Sequence, residues 1–477
     1  MKKYLLFSLL LVIGLSDIFA QEVISSTFLT TRDKDYFTNQ FGITPFTGTD
    51  LYRIQYTTHN VEGVLDTASG LVCIPQVEGL RVPIVSYSHG TVGSRFLVPS
   101  YLSGESIVAS IYSAVGTVCL AADYLGLGDN KGIHPYMHAA STASVSLDMI
   151  KAVKTWLPSQ MGLETNDQLF ITGYSQGGHA AMALHRLIET ETDIEVTGSI
   201  PMSGPYSIST GMRDLLLSED DYVVVAYLAQ VAISYQKVYG DIYPNGEITQ
   251  FFKPEYIEDI QKFINEEIDL WELNDILITK LTLNEGGAIS KKMIFDSIVE
   301  DIISQDNHPV NVALRDNDVY DWAPVGDMRL LYCEGDDQIG FNNSLIAKQT
   351  MNANGAEHVV AINLNSAFNH SECVQPAITV MYFYLNQLTM HTSAEDLEKT
   401  EVMMYPNPSN GDFIISFDND ISNVLIDVYA MTGTKVQSVN NVENRQAIAL
   451  NVAPGLYIIN IKNKNGQLIA VEKLVVQ

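Results

Sequence analysis

The chain has 477 residues, enough for two or three domains, and its 46% hydrophobic and 17% charged residues exclude a disordered or coiled-coil protein. The 27 Lys+Arg stand against 56 Asp+Glu, a formal net charge of -29. That balance argues against nucleic acid or an anionic membrane as partner, since both need basic surface to neutralise phosphate.

In chain order, residues 1–20 (MKKYLLFSLLLVIGLSDIFA) join a basic start at Lys2 and Lys3, an apolar stretch from Tyr4 to Leu15 and a small-residue end at Ala20, which predicts a secretory signal peptide. No later run reaches the roughly eighteen continuous apolar residues that a membrane-spanning helix needs. Residues 21–390 read as one large unit in which strand-like and helix-like segments alternate. Strands are predicted at 83–90, 116–124 and 167–175, helices at 144–157 and 179–189, and two later strands at 328–337 and 359–365. Such alternation predicts an α/β fold with a mostly parallel sheet covered on both faces, its site at the carboxyl ends of the strands. Residues 205–305 contain helical amphipathic segments and no strand pattern, which predicts a cap inserted over the site. Residues 391–401 are polar and aperiodic and read as a linker. Residues 402–477 change character, with short apolar runs split by SNG, TGT, PG and KNG turns, the pattern of a small all-β sandwich.

The chemistry concentrates around Gly173-Tyr174-Ser175-Gln176-Gly177-Gly178, a G-x-S-x-G sequence that follows a predicted strand and opens a predicted helix. That is the setting of a nucleophile elbow, in which Gly173 and Gly177 allow a tight turn and the serine hydroxyl stands over the sheet edge. A serine needs a base, and the base needs a carboxylate to orient it. Of the ten histidines only His358, His370 and His391 follow the second half of the sheet. His358 begins a predicted strand and His391 lies in the linker, so His370, in the stretch after the strand 359–365, is the expected base. Asp336 is the expected acid, with its neighbour Asp337 as the alternative; both follow the apolar run LLYC and a glycine. The oxyanion would be met by the backbone N–H of Gln176 and by Thr91, or alternatively Gly90, in the Gly-containing loop after the first of these strands. His89 reads as a structural loop residue.

Four cysteines allow three full pairings, and free buried thiols are an equal alternative. Cys333 with Cys373 is the preferred pair, because each lies three residues from Asp336 or His370; if those two meet, so do the sulfurs. Gly126, Gly128 and Gly132 miss the spacing of a dinucleotide loop. His134 and His138, four apart, lack a third ligand, and no Walker A or H-E-x-x-H sequence occurs, so no metal and no cofactor is expected.

The tail resembles the C-terminal sorting domain (type A form) of the type IX secretion system of Bacteroidetes. The resemblance rests on Tyr405-Pro406-Asn407-Pro408 with Asn410-Gly411, on Val428-Tyr429 with Gly433, on Pro454-Gly455-Leu456-Tyr457, and on the Lys473-to-Gln477 end. It implies export through the outer membrane with that machinery as partner, and a protein that is secreted or held at the cell surface. The main unit, over roughly 45–390, resembles the secretory-lipase and esterase group of the α/β-hydrolase superfamily. It does so through Ser88-His89-Gly90-Thr91, Asp123-Tyr124-Leu125-Gly126-Leu127-Gly128, His134-Pro135-Tyr136, the elbow, Trp322-Ala323-Pro324, Asp336-Asp337-Gln338-Ile339 and Asn369-His370. Gly340 departs from that pattern, where a proline is common. The expectation is a serine hydrolase acting on a small-molecule or lipid ester through an acyl-enzyme. The alternatives are a peptidase on the same fold and an inactive, surface-binding hydrolase-like protein. Oligomeric state, natural substrate and acyl length are not legible.

Overall fold

Apolar runs that cannot face water on either side form the centre of one large sheet. The computed structural model describes residues 21–389, 392–393, 402–417, 423–430, 435–463 and 468–477; residues 1–20, where a signal peptide is expected, most of the expected linker and Gly433 lie outside them. Nine strands make the main path: β1 Val23–Arg32, β2 Thr49–His59, β3 Leu65–Pro75, β4 Leu80–Ser88, β5 Val118–Ala122, β6 Thr165–Tyr174, β7 Gly198–Met202, β8 Asp327–Tyr332 and β9 Val359–Asn363. Their order is β1-β2-β3-β5-β4-β6-β7-β8-β9. The pairs from β5 through β9 are parallel, and β1–β2, β2–β3 and β3–β5 are antiparallel. This is a mostly parallel α/β-hydrolase sheet with an antiparallel N-terminal flank.

Alternation along the central strands sends neighbouring residues to two separate cores. Ile84, Leu120 and Ile171 pack on one face against the helices Ala139–Trp156 and Gln176–Glu191. Val85, Ala121 and Phe170 pack on the other against Gly104–Ser113 and His370–Leu388. Cys73 and Cys119 oppose each other across β3 and β5 as buried free thiols, and burial pushes the Cys73 pKa up to about 12.

Four strands fall outside the predicted ones. β7 is five residues with a proline inside it, yet it is wholly buried between β6 and β8. β1 is largely exposed at the sheet edge and so needs no apolar run. β2 and β3 likewise fall outside the predicted strands. Within the stretch read as a linker, Thr392–Ser393 pairs antiparallel with Arg81 and Leu80 of β4, so backbone pairing with the sheet continues past residue 390.

Between β7 and β8 the chain makes a helical cap insertion. Its longer helices are Ala226–Tyr239, Pro254–Ile264, Leu270–Glu285 and Asp296–Ser304, and Pro309–Asp316 lies beyond the expected boundary at 305. The cap has its own core of Tyr235, Ile260, Leu273, Leu277, Leu281 and Met293, reached from the main unit by Tyr136, Met137 and Ile339. The C-terminal residues form a separate sandwich of a three-stranded and a four-stranded sheet, all antiparallel. Phe413, Ile415 and Ile448 of one sheet meet Ile426, Val428, Ile459 and Leu474 of the other.

Candidate active site

β6 ends at Tyr174 and the helix Gln176–Glu191 begins two residues later, leaving Ser175 alone in the turn with φ 59° and ψ −121°. A non-glycine residue there is strained, and the surrounding backbone must hold it. It does so through Ser175 N–H donating to Met202 O at 2.9 Å and Gly178 N–H donating to Ser175 O at 2.9 Å. The two elbow glycines are required by space. A Cβ on Gly173 would stand 2.2 Å from Gly177 O, and one on Gly177 would stand 1.9 Å from Ser88 O. The second value also places the Ser88–His89 backbone directly against the first turn of the elbow helix.

His370 and Asp336 meet: Nδ1 lies 2.7 Å from Asp336 Oδ2, with both side chains buried. Asp336 Oδ1 accepts the N–H groups of Gln338 at 3.0 Å and Ile339 at 2.8 Å. The carboxylate is thereby held in one orientation, with one oxygen left for the imidazole. Asp337 makes a different contact, accepting the His370 backbone N–H at 3.1 Å. His370 is the first residue of the helix His370–Leu388. Asn369 caps that helix, its side chain accepting from Glu372 N and the Glu372 carboxylate accepting from Asn369 N. The N-x-x-E spacing is the sequence signal that could have located this helix start. Gly335 lets the acid loop approach, since a Cβ there would sit 2.8 Å from the Ala367 and Phe368 backbone. Cys333 and Cys373 form a disulfide with a Cα–Cα distance of 6.1 Å, joining the two segments that carry the acid and the histidine.

The histidine is tied to the elbow through the residue before the serine. Tyr174 Oη donates to His370 O at 2.6 Å and the two rings lie 5.0 Å apart. Ser175 and His370 are both buried, and no hydrogen bond joins Ser175 Oγ to His370 among the described residues. Such contacts commonly tighten only when substrate is bound.

Gln176 opens its helix, so its backbone N–H is one of the first-turn donors without an intrahelical acceptor. Gly90 packs on the elbow, where a Cβ would lie 3.5 Å from Tyr174 O. Thr91 Oγ1 shares a hydrogen bond with Tyr136 Oη at 2.9 Å. His89 stacks on Tyr124 at 4.2 Å and its Nδ1 meets Gly90 O at 2.7 Å, a loop-forming role. Asp123 is fully buried and accepts from the hydroxyls of Ser69 and Ser100 and from Ser100 N–H, and burial raises its pKa. Its backbone carbonyl lies 3.3 Å from His89 Nε2, which joins it to the loop.

His134 and His138 do not converge. His138 caps the helix Ala139–Trp156. His134 Nε2 instead lies 2.8 Å from the Gln176 side-chain nitrogen, a contact invisible in the sequence. Among the described residues no group of three or more His, Cys, Asp or Glu could hold a metal ion. A cavity of about 90 Å³ in the cap is lined by aliphatic and aromatic side chains, among them Tyr136, Met212, Tyr227, Val231 and Ile339, with one arginine, Arg213.

Residues 403–477 match the secretion system C-terminal sorting domain family, which implies export through the type IX machinery. No curated protein matches the chain. Several solved structures share the fold of the main unit. A Legionella pneumophila protein, provisionally assigned as a hydrolase, is 24% identical with a TM-score of 0.69, over 77% of this chain and 98% of that one. The rice cell wall degrading esterase LipA of Xanthomonas oryzae is 23% identical with a TM-score of 0.65, over 77% and 98%. Candida antarctica lipase A in its closed state is 13% identical with a TM-score of 0.55, over 75% and 82%.

Proposed function

Given a main unit with the α/β-hydrolase fold and a secretion-system sorting domain behind it, we propose that the protein is an exported serine hydrolase that cleaves carboxylic esters. One observation carries this reading. A histidine clamped by a buried carboxylate at 2.7 Å is tied, through Tyr174, to a serine held in a strained strand-to-helix turn. In this mechanism Ser175 Oγ attacks the ester carbonyl and His370 Nε2 takes its proton. Asp336 accepts the Nδ1–H, fixes the tautomer and stabilises the imidazolium. The oxyanion faces the N–H of Gln176 and that of Thr91, with Gly90 as the alternative donor. His370 returns the proton to the departing alcohol, and water then attacks the acyl-enzyme with the same base.

The cap cavity supports an apolar acyl group. Tyr136 on its wall is bonded to Thr91, and Ile339 lies three residues after Asp336, so the cavity borders the site. The likeness to an esterase and a lipase supports the choice of ester over amide. An amino-terminal signal peptide at residues 1–20 would begin the export that the sorting domain completes. The test is turnover of p-nitrophenyl esters of graded chain length beside aminopeptide substrates, for the wild type and Ser175→Ala. Ester hydrolysis lost in the variant is expected. Hydrolysis that survives it refutes the mechanism, and a preference for amides replaces the esterase by a peptidase.

A further inference from the structure

His134, a histidine outside the proposed triad, touches the residue that follows the nucleophile. Its Nδ1 lies 2.8 Å from Leu125 O, which can only accept, so Nδ1 carries the proton. Enclosure lowers the ring's pKa to about 4 and keeps it neutral near pH 7. Nε2 is then a lone-pair acceptor, and the group 2.8 Å away is the Gln176 side-chain NH2, which donates to it. This hydrogen bond anchors the first residue of the elbow helix, the residue whose backbone N–H should meet the oxyanion.

The same ring is linked, through Tyr124 and His89, to the loop of the other proposed donor. His134 stacks on Tyr124 at 5.8 Å and Tyr124 stacks on His89 at 4.2 Å, while Tyr124 Oη donates to His89 O at 3.1 Å. His89 leads into Gly90 and Thr91. Two residues on from His134, Tyr136 is bonded to Thr91 Oγ1. The cap grips the same stretch, since Ser234 Oγ donates to His134 O at 2.8 Å and Tyr235 Oη donates to Met137 O at 3.1 Å.

We propose that His134 is a positioning residue that sets the oxyanion-binding geometry by accepting a hydrogen bond from the Gln176 side chain, and that the His134–Met137 segment links that geometry to the cap. This rests on the ester-hydrolase reading. The N–H groups that stabilise a developing oxyanion must be placed to within a few tenths of an ångström. Losing the anchor therefore costs transition-state stabilisation more than ground-state binding.

The test uses the full chain with p-nitrophenyl esters. His134→Phe keeps a ring for the Tyr124 stack and removes the acceptor; Gln176→Leu removes the donor. Each is expected to lower kcat roughly 10- to 100-fold with KM little changed. The double variant should be no worse than the worse single one, because both delete one interaction. His134→Gln, whose side-chain oxygen can accept at the ε position, should recover part of the loss. If His134→Phe does not fold, Gln176→Leu and its comparison with His134→Gln carry the same expectation. Unchanged kcat in the folded variants, a loss confined to KM or to thermal stability, or losses that multiply in the double variant would overturn the inference. Ser175→Ala run alongside separates the two levels: turnover that survives it removes the hydrolase reading, whereas its loss together with a fully active His134→Phe removes this inference alone.

Discussion

Replacing Asp336 by asparagine alters one atom and should silence the enzyme through the tautomer of His370. In the structure Asp336 Oδ1 accepts two backbone N–H groups, from Gln338 at 3.0 Å and Ile339 at 2.8 Å. An amide placed there must keep its oxygen on those donors, because its NH2 cannot accept them. The NH2 is then turned toward His370 Nδ1, now 2.7 Å from a carboxylate oxygen. A donor facing Nδ1 forces the ring proton onto Nε2, the nitrogen that receives the serine proton in the proposed mechanism. Loss of the correct tautomer in a Ser-His-Asp triad costs about four orders of magnitude in kcat, or about 5.5 kcal/mol at 1.36 kcal/mol per decade. The assay is kcat on a short p-nitrophenyl ester near neutral pH, with a thermal melt to show that the fold is intact. Asp337→Asn is the control. Among the described residues Asp337 accepts only the His370 backbone N–H, which an amide oxygen can accept equally, so its activity should stay within a few-fold of wild type. More than a tenth of wild-type kcat in Asp336→Asn, or an equal collapse in Asp337→Asn, would refute the reasoning.

Two further outcomes follow from groups outside the reacting atoms. The Cys333–Cys373 bridge closes a loop of 40 residues, and replacing both by alanine should lower the unfolding free energy by about 4 kcal/mol from loop entropy; an unchanged urea midpoint would contradict this. His179 is fully buried, its Nε2 lies 2.8 Å from Asn317 O, its Nδ1 has no partner among the described residues, and burial lowers its pKa from 6.5 to about 4. Between those two values the unfolded chain holds one more proton than the folded one, so stability is full above the upper value and falls as pH drops through the window. The slope is about 1.4 kcal/mol per pH unit, on the order of 3 kcal/mol in all. His179→Gln should flatten the stability–pH curve by that slope between pH 4 and 6.5, and parallel curves for variant and wild type would contradict the assignment.

Much of this molecule was legible before any coordinates, because the signals are local. A buried strand must be apolar, so β4, β5 and the buried parts of β6 and β8 announce themselves as runs; β9 is an apolar run too, although only Val359 of it is buried. An elbow needs small residues on both sides of its serine, so Gly173 and Gly177 mark the turn. Spacing makes Cys333–Cys373 the preferred pair but leaves free thiols an equal alternative, and the fold forms the bridge. Tertiary structure decided what depends on neighbours distant in sequence. β7 is a strand because β6 and β8 flank it, not because Gly198–Met202 prefers extension. Asp336 rather than Asp337 faces the imidazole because the backbone of Gln338 and Ile339 turns its carboxylate that way. His134 reaches Gln176 across 42 positions, and no periodicity records such a pair. Hydrophobic pattern and turn chemistry are written into adjacent residues, whereas the orientation of a side chain in a site is set by partners that only packing brings within hydrogen-bond reach.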